Sequence, residues 1–332
     1  MARTRQFDIL NQPIVTLLVT YGLLLGFGSI RALRAPYGTE LTEGVLSPVG
    51  LWLDSLLGPY LGFVVVLGAI LLASVIVTRI INRYSLSLIR SFMPMVLLMV
   101  CLFGVVFPVS SPALILALLM LTQSTDLMFT SFKRHATFGK VMSASFWTAL
   151  AALLVPEMVY LLVLLPVQWL IWQRSPREMI AGAIMIPLPM LLGSCCYWFA
   201  GEPFGWLWEE WSKSLPKVDF VSFAEMYALS GGIVNCVLWG VIVLLTLVSI
   251  LVFLGGYGAM RTRARKGHIF FSLMFLLGVL MFLLGGTATV AVPIMGFAAV
   301  PLIHTFFVRR KGIVSALIYI ILVSLTLIGT LA

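Results

Sequence analysis

The sequence predicts an all-α integral membrane protein, a polytopic bundle of about eleven transmembrane helices with the N-terminus in the cytoplasm. Of its 332 residues, 61% are hydrophobic and only 10% are charged, whereas about a quarter of the residues in a soluble domain are charged. Apolar runs of roughly membrane-spanning length recur from one end of the chain to the other. These runs are continuous rather than alternating, which favours helices over a β-barrel.

Each apolar run is interpreted as one span, and the first is taken as uncleaved because no small-residue cleavage site follows it. Prolines mark two tight turns, from Pro108 to Ser111 and at Pro156-Glu157, because proline breaks a helix. The predicted spans are 13–30, 60–81, 92–107, 112–130, 141–155, 158–172, 179–199, 232–254, 269–284, 288–308 and 312–331.

Basic residues test the orientation independently of hydropathy. With eleven spans and the N-terminus inside, 17 of the 21 lysines and arginines fall on the cytoplasmic side, and nine of the 12 acids fall outside. This is the bias that the positive-inside rule predicts. The net charge of +9 therefore reports topology and not nucleic-acid binding, since the basic residues form short clusters between apolar runs.

Two external segments are neither spans nor tight turns. The loop at 31–59 contains an amphipathic stretch from Leu46 to Leu57, and the loop at 200–231 interleaves aromatic residues with acids. Both are predicted to form helices in the outer interface, where aromatic rings lie at headgroup level. The longer loop divides the chain into a seven-span module at 1–199 and a four-span module at 232–332.

Few ionisable residues fall at membrane depth, where such groups are candidates for function. Asp126 lies near the inner end of the fourth span, and Lys133 and Arg134 are close enough in sequence to pair with it. Glu157 follows Pro156 on the outer side, where it either faces an external cavity or caps the sixth span. The four cysteines lack metal-ligand spacing and are interpreted as small buried hydrophobes.

The first external loop supplies the candidates for chemistry. Glu40 and Glu43 precede its amphipathic stretch, and acids at the outer surface suit a general base or a metal ligand. Arg31 and Arg34 lie outside against the topology bias. A guanidinium binds phosphate in a bidentate fork, so phosphate recognition is one reason to retain them. Snorkelling to headgroups is the other reason.

Three short stretches between residues 80 and 211 resemble an uncharacterised family of bacterial inner-membrane proteins. They are Ile81 to Tyr84, the turn from Phe107 to Ala113, and Ala151 to Glu157, which reads Ala-Ala-Leu-Leu-Val-Pro-Glu. The resemblance covers about 40% of the chain and implies a bacterial inner (cytoplasmic) membrane location; that family supplies no established activity.

The layout of residues 13 to 199 resembles the family C glycosyltransferase superfold, which includes lipid-linked sugar transferases. Both have a first span, a long external loop with juxtamembrane helices, and then short helical hairpins. The resemblance implies that an acid of the first loop, here Glu40 or Glu43, acts as base or binds a divalent cation. Many members carry a further acid between the third and fourth spans, but this turn has none. Asp54 or Glu157 is expected to compensate, or the chain is inactive.

Three functions follow as hypotheses. The first is an enzyme, such as an O-antigen polymerase, that transfers or polymerises sugars from an undecaprenyl-phosphate-linked donor on the outer face. Its partners would be membrane lipid and a polyprenyl-phosphate-linked sugar. The second is a non-enzymatic membrane subunit with envelope or secretion proteins as partners. The third is a flippase or transporter, which the scarcity of polar residues within the spans disfavours.

Overall fold

The architecture of the described residues is entirely helical. A computed structural model of the chain describes residues 14–34, 45–87, 89–103, 111–132, 137–215, 233–284, 287–310 and 312–331. The α-helices are α1 (Ile14–Arg34), α2 (Pro48–Arg83), α3 (Met93–Phe103), α4 (Pro112–Ser131), α5 (Phe138–Leu154), α6 (Leu164–Ile171), α7 (Pro176–Ile184), α8 (Leu188–Phe199), α9 (Trp206–Lys213), α10 (Ile233–Gly255), α11 (Thr262–Leu283), α12 (Ala288–Arg309) and α13 (Ile313–Leu331). Two 3₁₀ segments, Pro156–Val163 and Tyr257–Ala259, precede α6 and α11.

The helices confirm the prediction of a multi-pass membrane protein. Within the described residues, six helical stretches are long and apolar enough to cross a membrane. Five of them are α2, α4, α10, α11 and α12, and the sixth is the pair formed by α7 and α8. The remaining apolar stretches are shorter. The number of eleven spans and the orientation stay predictions.

Two predicted spans are irregular. The span at 158–172 begins as the 3₁₀ segment Pro156–Val163 and becomes α-helical from Leu164. The span at 179–199 is divided into α7 and α8 by a break at 185–187. Pro187 and Pro189 stand at this break, and proline both lacks an N–H and disfavours helical backbone at the residue before it. Hydropathy alone does not reveal such interruptions.

Helix α2 combines the amphipathic stretch of the first loop with the second span. It begins at Pro48, where the Ser47 hydroxyl accepts a hydrogen bond from the Gly50 N–H. Its backbone leaves helical geometry at Gly58, which has φ +60° and precedes Pro59. Glycine adopts that conformation without steric cost. The chain therefore forms a short helix from Pro48, bends at Gly58, and continues to Arg83, in agreement with the helix predicted in this loop.

The first helix is longer than the sequence indicated. The predicted span ended at residue 30, and Arg31 and Arg34 were assigned to the external loop. Helix α1 continues to Arg34, so both arginines belong to its last turn. The backbone of both arginines is helical. An apolar run sets only the minimum length of a helix, and polar residues can extend it.

The core centres on α12, whose apolar window is completely enclosed. This helix packs against α11, α10 and α3, while α4 packs against both α2 and α5. Residues from Leu17 to Leu322 belong to one hydrophobic cluster, so both predicted modules share a core. Helix α4 is joined to α5 by the Ser124 hydroxyl, which lies 2.7 Å from both the Ala144 carbonyl oxygen and the Thr148 hydroxyl.

Helix direction places most of the described acidic residues at one end of the bundle and most of the described basic residues at the other. One end joins the starts of α2, α4 and α12 to the end of α5, and we call it the acidic end. The other joins the ends of α2 and α4 to the starts of α5 and α11, and we call it the basic end.

Candidate functional site

The two amphipathic segments that the sequence predicts to be external meet at the acidic end. The first turn of α2 contacts the end of α5, because the Ser47 N–H donates to the Leu154 carbonyl oxygen at 3.1 Å. Gly50 permits this approach, since a Cβ there would lie 2.7 Å from the same oxygen. From the second loop, the Trp211 indole N–H donates to the Ala152 carbonyl oxygen at 2.9 Å.

A small apolar cluster joins the same elements. Leu153, at the end of α5, packs with the buried Leu207 and Trp211 of α9, and Val49 of α2 packs against this group. The predicted helix in the second loop is therefore present as α9, and it lies beside the amphipathic helix of the first loop. Both segments pack on the α5 terminus at the acidic end, and we call residues 48–57 of α2 together with α9 the platform.

Asp54 lies on the α2 part of the platform and points to the start of α4. Its Oδ1 accepts a hydrogen bond from the Ala113 N–H at 2.9 Å, and the Ser111 side chain also hydrogen-bonds to it. The Ser111 hydroxyl in turn accepts from the Leu114 N–H. A carboxylate at a helix N-terminus is stabilised by the unpaired N–H groups and the helix dipole. Asp54 thus supplies an acid beside the turn whose sequence contains none.

Glu157 is buried, with 2% of its surface exposed. Both carboxylate oxygens accept from the Thr287 N–H, at 3.1 and 3.0 Å, and the Thr287 hydroxyl donates to Oε2 at 3.0 Å. Thr287 is the N-cap residue of α12. Glu157 therefore caps a helix 130 residues away in sequence, rather than its own span, and it is not exposed to an external cavity.

The described part of the chain does not show the remaining predicted site residues close together. Glu40 and Glu43 lie outside the described residues, and nothing is described of the side chains of Arg31 and Arg34. The described residues contain no group of three or more His, Cys, Asp or Glu side chains that could hold a metal ion. The expected divalent cation therefore has no ligand set in this part of the chain.

At the basic end, Asp126 pairs with a different residue from those expected. Its Oδ2 accepts a hydrogen bond from Arg79 at the end of α2, and its Oδ1 accepts from the Tyr84 hydroxyl at 3.3 Å. Asp126 is 3% exposed. Lys133 and Arg134, the partners predicted from sequence proximity, lie outside the described residues. The ion pair fastens α2 to α4, which supports the interpretation of Asp126 as a structural residue.

A second buried network closes the turn before α7. The Arg174 guanidinium donates to the Thr137 hydroxyl and to the Ser131 carbonyl oxygen, both at 2.7 Å. Glu178 accepts from the Thr137 N–H and hydroxyl, and it forms a capping box with Ser175. These bonds join α4, α5 and α7 at the basic end.

Sequence spacing did not predict that His268 contacts the residue next to His304. The His268 ring nitrogens lie 2.7 Å from the Ala264 carbonyl oxygen and 2.7 Å from the Thr305 hydroxyl. Thr305 adjoins His304, whose ring is fully buried with neither nitrogen hydrogen-bonded. A sequence signal for this contact did exist: His268 lies near the start of α11 and His304 near the end of the next helix, α12. Two consecutive antiparallel helices bring the start of the first close to the end of the second.

Comparisons of the chain with models of protein families, with curated proteins and with solved structures give no match. The functional argument therefore depends on the geometry of the two ends.

Proposed function

We propose that this multi-pass protein is a bacterial inner-membrane enzyme of envelope glycan biogenesis. It transfers or polymerises sugars from an undecaprenyl-phosphate-linked donor at the acidic end. The observation that carries the proposal is the position of Asp54. It lies on a juxtamembrane helix and beside the start of α4, where the resemblance to lipid-linked sugar transferases expects an acid and the turn has none.

The platform supports this proposal by its shape and composition. Two amphipathic helices from distant loops pack side by side, and the exposed Trp52 and Trp208 lie on them. Indole rings favour the headgroup region of a bilayer. A lipid carrier can therefore keep its chain in the membrane while its sugar reaches the platform.

The reaction assigns separate roles to the predicted residues. Glu40 or Glu43 removes the proton from the acceptor hydroxyl, whose oxygen then forms a bond to the anomeric carbon of the donor sugar. The bond between that carbon and the lipid phosphate breaks, and the phosphate leaves with the electron pair. Arg31 and Arg34 bind the phosphate, and Asp54 orients the acceptor or the donor at the platform. No step is assigned to a metal ion.

Charge-removing substitutions test the proposal. Asp54→Asn keeps an oxygen that accepts from the Ala113 N–H, so the helix start is retained while the charge is lost. Transfer from an undecaprenyl-phosphate-linked sugar in purified, detergent-solubilised protein is expected to fall by about tenfold or more in Asp54→Asn. It should fall by about 100-fold in Glu40→Gln or Glu43→Gln, the usual contribution of a general base.

Glu202→Gln is the matched control, because Glu202 is an exposed acid of the same end that contacts none of these residues in the described hydrogen bonds. It is expected to retain full transfer and full surface glycan. Protein abundance in the membrane should be the same in all four variants. Normal glycan in the three site variants would remove the catalytic proposal.

One observation favours a second function, a non-enzymatic subunit of an envelope or secretion complex. Asp54 and Glu157 both accept hydrogen bonds from helix starts, as purely structural acids do. In that case the platform would bind a protein partner. Purification in mild detergent decides between the two: a stoichiometric protein partner supports the subunit, and a lone chain with bound lipid-linked sugar supports the enzyme.

A further inference from the structure

The pair of helices α7 and α8 forms an interrupted membrane span. Helix α7 has nine residues and α8 has twelve, so each covers about half of the ~30 Å hydrocarbon core. The break at 185–187 therefore lies near the middle of the membrane. Both helices pack against α5, and together they are the least buried of the six candidate spans in the described residues.

The break leaves backbone groups without hydrogen bonds. At the end of α7, two short turn bonds satisfy the carbonyl oxygens of Gly182 and Ala183. Pro187 and Pro189 donate nothing, because proline has no N–H. In the described part of the chain, three carbonyl oxygens and two N–H groups here stay without a partner, namely the carbonyl oxygens of Ile184, Met185 and Ile186 and the N–H groups of Leu188 and Met190.

Lipid cannot supply the missing partners. In the hydrocarbon core, backbone donors and acceptors have to be satisfied by protein or by water in a cavity. One side of the break faces outward, because Ala183 and Pro187 are exposed. The large side chains that flank it are apolar and exposed too, namely Ile180, Ile184 and Leu191. Such side chains do not line a water-filled cavity, so the break requires cover by protein.

We propose that a second copy of this chain covers the break, in a dimer with its two-fold axis along the membrane normal. A copy in the same orientation brings its own break to the same depth, whereas an unrelated helix would need polar groups at that depth. The break offers both donors and acceptors, so it is complementary to itself, as a two-fold interface requires. The small side chain of Ala183 lets two backbones approach closely.

Disulfide cross-linking in membranes tests where the two copies meet. The background variant has serine at the three cysteines with exposed surface, Cys195, Cys196 and Cys236. In this background, Ala183→Cys is expected to give a disulfide-linked dimer with a membrane-permeant oxidant, because the contact brings the two Cα atoms within about 7 Å. Leu244→Cys is the matched control and should give severalfold less dimer, since Leu244 is 65% exposed at the middle of α10, on a different helix at the same depth.

Fluorescence energy transfer between labelled full-length chains in lipid vesicles measures the strength of the dimer. Ala183→Phe is expected to raise its Kd by about tenfold or more, because the ring keeps the backbones apart and their hydrogen bonds are lost. The double variant Pro187→Ala, Pro189→Ala restores two N–H donors within the span, and it should also raise the Kd because fewer groups need a partner. Leu244→Phe, the control, should keep the Kd of the wild type.

Each outcome decides the proposal. A dimer of Ala183→Cys, together with a raised Kd in both break variants and an unchanged control, supports it. Equal cross-linking of Ala183→Cys and Leu244→Cys, a chain that stays monomeric in vesicles, or an unchanged Kd in either break variant would overturn it. A cross-link from Ala183→Cys to another membrane protein would overturn the second copy as the partner. These variants differ from those of the sugar-transfer test, so either proposal can fail alone.

Discussion

At the scale of single residues, burial and hydrogen bonding separate side chains that look alike in the sequence. His268 and His304 are both buried near the basic end, but His268 has two partners and His304 has none. A buried polar group without a hydrogen bond costs stability, whereas one with partners contributes a net stabilisation. Glu157 resembles His268 in this respect, because both of its carboxylate oxygens accept hydrogen bonds from Thr287.

Replacing each histidine with leucine tests this difference. His268→Leu is expected to lower the free energy of unfolding by about 1 to 3 kcal/mol, because it removes the hydrogen bonds of both ring nitrogens, while the Thr305 hydroxyl keeps only its bond to the Pro301 carbonyl oxygen. His304→Leu should change it by less than about 1 kcal/mol, or raise it, because no hydrogen bond is lost. Unfolding by sodium dodecyl sulfate in mixed micelles measures both values. A larger loss in His304→Leu would show that His304 has a bound partner.

At the scale of elements, the sequence predicted helix existence far better than helix ends and pairings. Continuous apolar runs identified α4, α10, α12 and α13 within a few residues, since lipid requires each run to satisfy its own backbone. Local hydropathy contains no information on the break before α8. It also contains none on the contact between Glu157 and Thr287, because that contact depends on tertiary packing across 130 residues.

The candidate site shows the same limit. Asp54 was one of two acids expected to compensate for the missing acid of the turn; the structure shows that it bonds to the start of α4, and its role in catalysis stays a prediction. The pattern did not exclude Glu157, because an acid after a proline looks the same whether it is exposed or buried. Asp126 was assigned to the nearest cations in sequence, whereas α2 brings Arg79 to it from 47 residues away.

The pairing of α4 with α5 gives the prediction at this scale. The Ser124 hydroxyl bonds across the helix interface, while the equally buried Ser249 hydroxyl bonds to Leu245 of its own helix, α10. Ser124→Ala is expected to lower the free energy of unfolding by about 1 kcal/mol, the usual worth of a bond between membrane helices. Ser249→Ala, the matched control, should lower the free energy of unfolding by clearly less. Equal losses in the two variants would argue against a special role for the bond between helices.

At the scale of the whole molecule, the charge is divided between two ends. The acidic end contains Asp54 and Glu157, and the basic end contains most of the described arginines and lysines, with Asp126 and Glu178 in ion pairs. The proposed sugar transfer belongs to the acidic end. The positive-inside rule predicts that the basic end faces the cytoplasm.

Cysteine labelling tests this orientation directly. In a background where the three partly or fully exposed cysteines, Cys195, Cys196 and Cys236, are serine, Arg261→Cys and Glu202→Cys each provide one exposed thiol. A membrane-impermeant maleimide added to intact spheroplasts is expected to label Glu202→Cys and to spare Arg261→Cys. Permeabilised membranes, in which both thiols should react, are the control for accessibility. Equal labelling of both thiols in intact spheroplasts would place the two ends on one side of the membrane. The number of spans between them would then be wrong, and the proposal of an outward-facing sugar site would fail.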